Sequence, residues 1–133
     1  MARILIVEDD KPLQEIYADT LRAEGYEIDT ADDGEVALQK MQQGGWDLVL
    51  LDIILPKING LDIMERLKSQ PPLPNPNKCV VFLTNLDKSE EVDRGLKLAN
   101  GYLIKSQITP GDLVQEVSVY LSSDPASQKQ PPL

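Results

Sequence analysis

Three short stretches of this chain are hydrophobic at every position, and nothing else in it narrows the possible folds as much. They are Ile4-Leu5-Ile6-Val7, Leu48-Val49-Leu50-Leu51 and Cys79-Val80-Val81-Phe82-Leu83. A strand with one wet face alternates apolar and polar residues. A continuous run of Val, Ile and Leu suits a strand covered on both faces, as in a parallel sheet. These runs predict strands over Arg3–Val7, Asp47–Leu51 and Lys78–Leu83, with a further short run at Gly101–Ile104. Tyr26–Thr30 alternates instead, which predicts a strand at a sheet edge. None of the runs approaches the ~20 apolar residues that cross a bilayer, and the first, stopped by Glu8, is too short for a signal-peptide core.

Helical spacing fills the intervals. Leu13, Ile16, Tyr17, Thr20 and Leu21 share one face, with Pro12 in the first turn and Gly25 as a stop. Val36, Ala37 and Met41 predict a second helix, Leu61, Met64 and Leu67 a third entered through Asn59-Gly60, and Val92, Leu96 and Ala99 a fourth. Leu113, Val117, Tyr120 and Leu121 predict a fifth, capped by Thr109 with Pro110 at its first position. Strands alternating with helices define an α/β domain with right-handed crossovers. Pro71 to Pro76 holds four prolines in six residues, a stiff surface loop. The expected domain spans residues 1–121, and the polar segment 122–133 reads as a disordered tail or linker stub.

Composition removes whole classes of function. The chain has no histidine and one cysteine, Cys79, which excludes histidine acid–base catalysis, Ser-His-Asp hydrolysis and multi-cysteine zinc sites. A net charge of −9 over 133 residues repels nucleic acid and anionic lipid, so neither is an expected direct partner. A cytoplasmic, reducing location is the expectation.

What remains is a set of residues at strand ends. In open α/β sheets, ligands bind beyond the carboxyl ends of the strands. Glu8, Asp9 and Asp10 follow the first predicted strand, Asp52 the third, Thr84 the fourth and Lys105 the fifth. Asp10 reads as a helix cap, as do Asp32 and Asp33 after the second strand. Glu8, Asp9 and Asp52 would crowd about three negative charges into one cleft, which calls for a cation or for raised pKa values. All-oxygen ligands suit a hard ion, Mg²⁺ or Mn²⁺. A metal, a lysine and a hydroxyl can together hold a phosphoryl group, and a carboxylate can accept one as an aspartyl phosphate.

The segments ILIVEDD (4–10), LVLLDIILPKINGLD (48–62), LTN (83–85) and GYLIKS (101–106) resemble the receiver domain of bacterial two-component response regulators, in order and spacing. The resemblance covers residues 2–121. It implies a flavodoxin-like, doubly wound, five-stranded parallel sheet in the order 2-1-3-4-5, with helices on both faces. It implies that Asp52 is the phosphoacceptor, and that Asp9, Asp52 and the Ile54 backbone carbonyl bind Mg²⁺ directly, with Glu8 acting through a metal-bound water. Lys105 and Thr84 would bind phosphoryl oxygens, and Tyr102 would report the state of Thr84. The implied donor is a histidine kinase or phosphotransfer protein. The implied output face is the fourth helix, fifth strand and fifth helix, residues 87–121, serving an effector or a homodimer.

The sequence departs from the family pattern in three places, one of them Glu8 where the pattern has Asp, a variant that should leave metal binding intact. The residue after the lysine is usually a proline joined by a cis bond, and here it is Ser106. The residue after the threonine is usually small, and here it is Asn85, which could narrow access to Asp52. Two other functions share the fold class. A metal-dependent phosphohydrolase with an aspartyl nucleophile would place a second acid two residues after Asp52, where Ile54 stands. A flavodoxin-like cofactor-binding protein would need hydroxyl and glycine donors in the first loop, where Glu8-Asp9-Asp10 would repel a phosphate.

Overall fold

The computed structural model describes residues 1–85, Asp93 and residues 97–122. The elements are β1 (Arg3–Val7), α1 (Lys11–Arg22), β2 (Glu27–Ala31), α2 (Gly34–Gln43), β3 (Leu48–Asp52), α3 (Gly60–Ser69), β4 (Val80–Thr84), β5 (Gly101–Ile104), a 3-10 turn (Lys105–Gln107) and α4 (Pro110–Ser122). The five strands form one parallel sheet in the order β2-β1-β3-β4-β5, as expected. The helix expected at Val92 and Leu96 lies outside the described residues, as does the segment 123–133. The fifth expected helix is therefore α4 here.

The continuous apolar runs build a core on each face. Leu5, Val7, Val49, Leu51, Val80 and Phe82 pack with Ala37 and Met41 of α2 and with Leu61 and Met64 of α3. The alternate residues, Ile4, Ile6, Leu48, Leu50, Val81 and Leu83, pack with Tyr17 and Leu21 of α1 and with Leu113 and Val117 of α4. Every residue of β3 and β4 is buried, which explains why those strands show no alternation. The edge strand β2 is exposed or half-buried except at Ala31.

Side-chain caps start the helices where the sequence placed them. Asp10 Oδ1 accepts from the Leu13 N–H at 3.3 Å, Asp33 Oδ1 from the Val36 N–H at 2.9 Å and Asn59 Oδ1 from the Asp62 N–H at 2.9 Å. Thr109 and Asp112 exchange two 3.1 Å bonds at the start of α4, a capping box.

Three expectations are corrected. Strands β3 and β4 begin later and end one residue later than the runs suggested, so Asp52 and Thr84 are the last residues of their strands. Strand β2 likewise runs from Glu27 to Ala31. The buried face of α1 is Gln14, Tyr17, Ala18 and Leu21, whereas Ile16 is 49% exposed. A buried glutamine, supplied with hydrogen-bond partners, has displaced an exposed isoleucine.

Candidate functional site

The register explains why distant residues meet. Val7 pairs with Leu51, so Glu8 stands level with Asp52 at the carboxyl end of the two central strands. Asp52 pairs with Leu83, and Thr84 with Ile104, the residue before Lys105. A cleft of about 340 Å³ opens there, lined by Glu8, Asp9, Asp10, Asp52, Ile54, Thr84, Asn85 and Lys105. The sequence named all of these as strand-end residues or their neighbours.

Lys105 reaches back over the sheet to the carboxylates. Its Nζ lies 2.9 Å from Asp52 Oδ2 and 2.6 Å from Glu8 Oε1, with its side chain only 13% exposed. The Glu8 contact is an ion pair to Oε1, an oxygen buried from solvent. Glu8 Oε2 accepts from the Asp10 N–H at 3.2 Å, and Asp52 Oδ1 from the Ile54 N–H at 3.3 Å. One oxygen each from Glu8, Asp9 and Asp52 fall within 4.8 Å of one another.

The electrostatics follow from this crowding. Burial pushes the Glu8 carboxyl above its usual range; Lys105 opposes the shift and the Asp52 charge adds to it. Asp9 is also pushed up, by desolvation first and then by Glu8. Burial works against the Lys105 charge, but its pairing with Glu8 and Asp52 more than offsets that and raises its pKa. Three carboxylates and one ammonium leave about two negative charges uncompensated, and the buried Glu8 Oε1 still offers a lone pair. This donor set fits a hard divalent cation.

The pleat divides the remaining residues between the two faces. Glu8, Asp52 and Lys105 continue the face packed on α1 and α4. Thr84 continues the face of Val80 and Phe82, and Tyr102, the register partner of Phe82, packs half-buried against that same core with Leu98 and Ala99. Ile54 is 65% exposed at the rim. None of the described peptide bonds is cis, and Ser106 sits inside the 3-10 turn.

Two supports of the site go beyond the sequence reading, which passed over Gln14 and gave Gly60 only the turn that opens the third helix. Gln14, 2% exposed, donates from Nε2 to the Glu8 carbonyl at 2.9 Å, the Ala31 carbonyl at 3.4 Å and Asp32 Oδ1 at 2.7 Å, and its Oε1 accepts from Lys11 Nζ at 3.1 Å. It thereby fixes the loop that carries Glu8 and Asp9. Its signal was the spacing 14, 17, 18, 21 along α1, with one polar member. Gly60 donates its N–H to the Ile53 carbonyl at 2.7 Å, and a Cβ there would overlap the Asp52 carbonyl. Only glycine lets α3 approach the end of β3 so closely.

The described residues thus present a doubly wound parallel sheet with an acidic cluster and a lysine at its central carboxyl edge. The model of the response regulator receiver domain matches residues 4–118, and the chain belongs to that family. It is 31% identical over 123 residues to the transcriptional regulatory protein CpxR homolog of Haemophilus influenzae, covering 91% of this chain and 51% of that protein. It is 38% identical over 104 residues to the transcriptional regulatory protein DltR of Streptococcus agalactiae, covering 77% and 45%. The chain thus spans about half the length of these relatives. Among solved structures it resembles a CheY-like receiver domain protein from Methanospirillum hungatei, with a TM-score of 0.78, 27% identity and 97% of each chain covered. It also resembles the response regulator TrrA of Thermotoga maritima in complex with Mg²⁺-BeF, with a TM-score of 0.74, 35% identity, and 91% of this chain and 100% of that one covered.

Proposed function

We propose that this domain is a phosphorylation-controlled switch in which Asp52 accepts a phosphoryl group from a histidine kinase or phosphotransfer protein. The carrying observation is the placement of Asp52 at the end of a central strand, 2.9 Å from Lys105 and within reach of Glu8 and Asp9. An Asp52 oxygen attacks phosphorus in line, the P–N bond of the donor breaks, and the imidazole leaves with the electron pair. Lys105 loses a carboxylate oxygen and gains a phosphoryl oxygen in the same position. Thr84 supplies a hydroxyl donor to another phosphoryl oxygen. Glu8, Asp9, Asp52 and the Ile54 carbonyl would hold Mg²⁺, or Mn²⁺ in its place. The ion, when bound, neutralises charge developing on the transferring group.

Phosphorylation replaces about one negative charge by about two and adds strong acceptors. Drawing Thr84 toward them alters the face it shares with Tyr102, which is how the state of Asp52 would reach an effector or a second copy through residues 87–121. The relatives are transcriptional regulators about twice this length, so an output module on the same polypeptide or a separate partner would serve. Residues 1–133 hold no histidine, so the donating phosphohistidine lies outside them, in the cytoplasm. Residues 1–121 form the receiver unit, and residues 122–133 are its tail or linker. No described helix is long and apolar enough to cross a membrane. The phosphohydrolase alternative gains no support, because the exposed Ile54 supplies no proton donor.

Intact-mass measurement after treatment with a small phosphodonor and Mg²⁺ should show one added phosphoryl group. Uptake that survives Asp52→Ala, or that ignores a chelator, would refute the reading.

A further inference from the structure

Two of the three departures from the family pattern, Asn85 and Ser106, are joined by one bond. The Ser106 N–H donates to Asn85 Oδ1 at 3.1 Å, between residues 21 apart in sequence. A proline at 106 has no N–H to give, and a small apolar residue at 85 has no oxygen to receive it. Each residue supplies what the other needs. A backbone N–H can only donate, so the bond also sets the amide of Asn85, with Oδ1 toward Ser106 and Nδ2 away from it.

The bond meets a local need. The 3-10 turn Lys105–Gln107 has no side-chain cap of its own, and the first N–H groups of a helical turn lack partners within it. Such turns are short, with poor hydrogen-bond geometry. Yet Lys105, the first residue of this turn, must hold its Nζ at hydrogen-bond distance from Asp52. Asn85 follows Thr84, and Ser106 follows Lys105. The bond therefore ties the loop bearing the hydroxyl to the turn bearing the ammonium, and Asn85 lines the same cleft.

We infer that Asn85 and Ser106 form a clasp that holds Thr84 and Lys105 in register across the cleft, which makes Asn85 a positioning residue for phosphoryl uptake. The inference rests on the reading of Asp52 as phosphoacceptor. In this chain a side-chain hydrogen bond takes over the stiffening that a proline ring supplies in the family pattern. The clasp can also open, which a ring cannot.

The test uses the full chain, with acetyl phosphate as donor and saturating Mg²⁺. Two readouts are followed: the maximal rate of uptake at Asp52 and the amide hydrogen exchange of Ser106. Asn85→Ala should speed Ser106 exchange and lower the maximal rate about two- to tenfold, the scale of one neutral hydrogen bond. The donor concentration giving half the maximal rate should change little. Asn85→Asp keeps the accepting oxygen, so Ser106 should stay protected and the maximal rate should recover toward the native value. The clasp is overturned by a native Ser106 amide that exchanges as freely as in Asn85→Ala, or by Asn85→Asp performing no better than Asn85→Ala. An unchanged or faster rate in Asn85→Ala also overturns it, the latter showing obstruction instead. A native chain that takes up no phosphoryl group at all sinks the reading of Asp52, while Ser106 exchange still reports on the bond itself.

Discussion

Replacing Lys105 with methionine keeps most of the aliphatic stem and removes the ammonium that faces the acidic cluster. Its Nζ lies 2.9 Å from Asp52 and 2.6 Å from Glu8, and all three side chains are largely or wholly buried. At an effective dielectric of about 20, each contact is worth ~6 kcal/mol of gross attraction, against which the desolvation of the ammonium must be set. Breaking a buried pair typically costs about 3–5 kcal/mol net. A second limit applies, because the folded protein can protonate a carboxylate rather than leave two charges facing each other. From the ordinary glutamate value of 4.5, that escape costs ~5 kcal/mol at pH 8 but only ~1.4 kcal/mol at pH 5.5, at about 1.36 kcal/mol per pH unit. Lys105→Met should therefore lose about 3–4 kcal/mol at pH 8 and about 1–1.5 kcal/mol at pH 5.5. Urea unfolding of both chains at the two pH values, with a chelator present, measures the difference. Millimolar Mg²⁺ at pH 8 should restore part of the loss, since a dication takes over the neutralising role. A loss that is equal at both pH values and indifferent to Mg²⁺ would show that Lys105 acts through packing and not through charge.

Three other outcomes follow from the same geometry. The raised pKa of Glu8 means that its contribution favours the fold at low pH and is lost as pH rises through the raised value, so Glu8→Gln in chelator should raise Tm at neutral pH by a few degrees; a lowered Tm refutes the sign. Gln14→Leu leaves the Glu8 carbonyl without its donor and should cost about 1–3 kcal/mol in urea unfolding while weakening Mg²⁺ binding measured by calorimetry; native affinity in the variant would deny Gln14 its part in placing the loop. Gly60→Ala drives a Cβ into the Asp52 carbonyl and to 3.0 Å from the Ile53 Cα, and should cost about 1–3 kcal/mol with a matching drop in phosphoryl uptake; a neutral change would mean that α3 can withdraw freely.

The sheet was legible because burial on both faces leaves a mark that hydropathy detects directly, as in Leu48 to Leu51. Strand ends were less so, since Asp52 and Thr84 are polar yet complete their ladders. The residues of the cleft could be listed from the sequence because parallel strands bring their carboxyl ends to one edge, whatever lies between them. What supports the cleft could not. Gln14 looks like a surface residue until the Glu8 and Ala31 carbonyls are seen to need its amide. The bond between Asn85 and Ser106 depends on two loops meeting, and neither residue type announces it. The expected contribution of Val92 and Leu96 to the output face lies outside the described residues.

The pleat of the sheet turns one surface into two compartments. Glu8, Asp52 and Lys105 belong to the side packed on α1 and α4, while Thr84 and Tyr102 belong to the side packed on α2 and α3. On the proposed reading, the groups that take up the phosphoryl stand on one side and the Thr84–Tyr102 relay on the other, divided by a wall one residue thick, while α4 of the output face lies on the uptake side. Thr84, the last residue of β4, is where the two compartments touch, and there a substitution would disturb both at once.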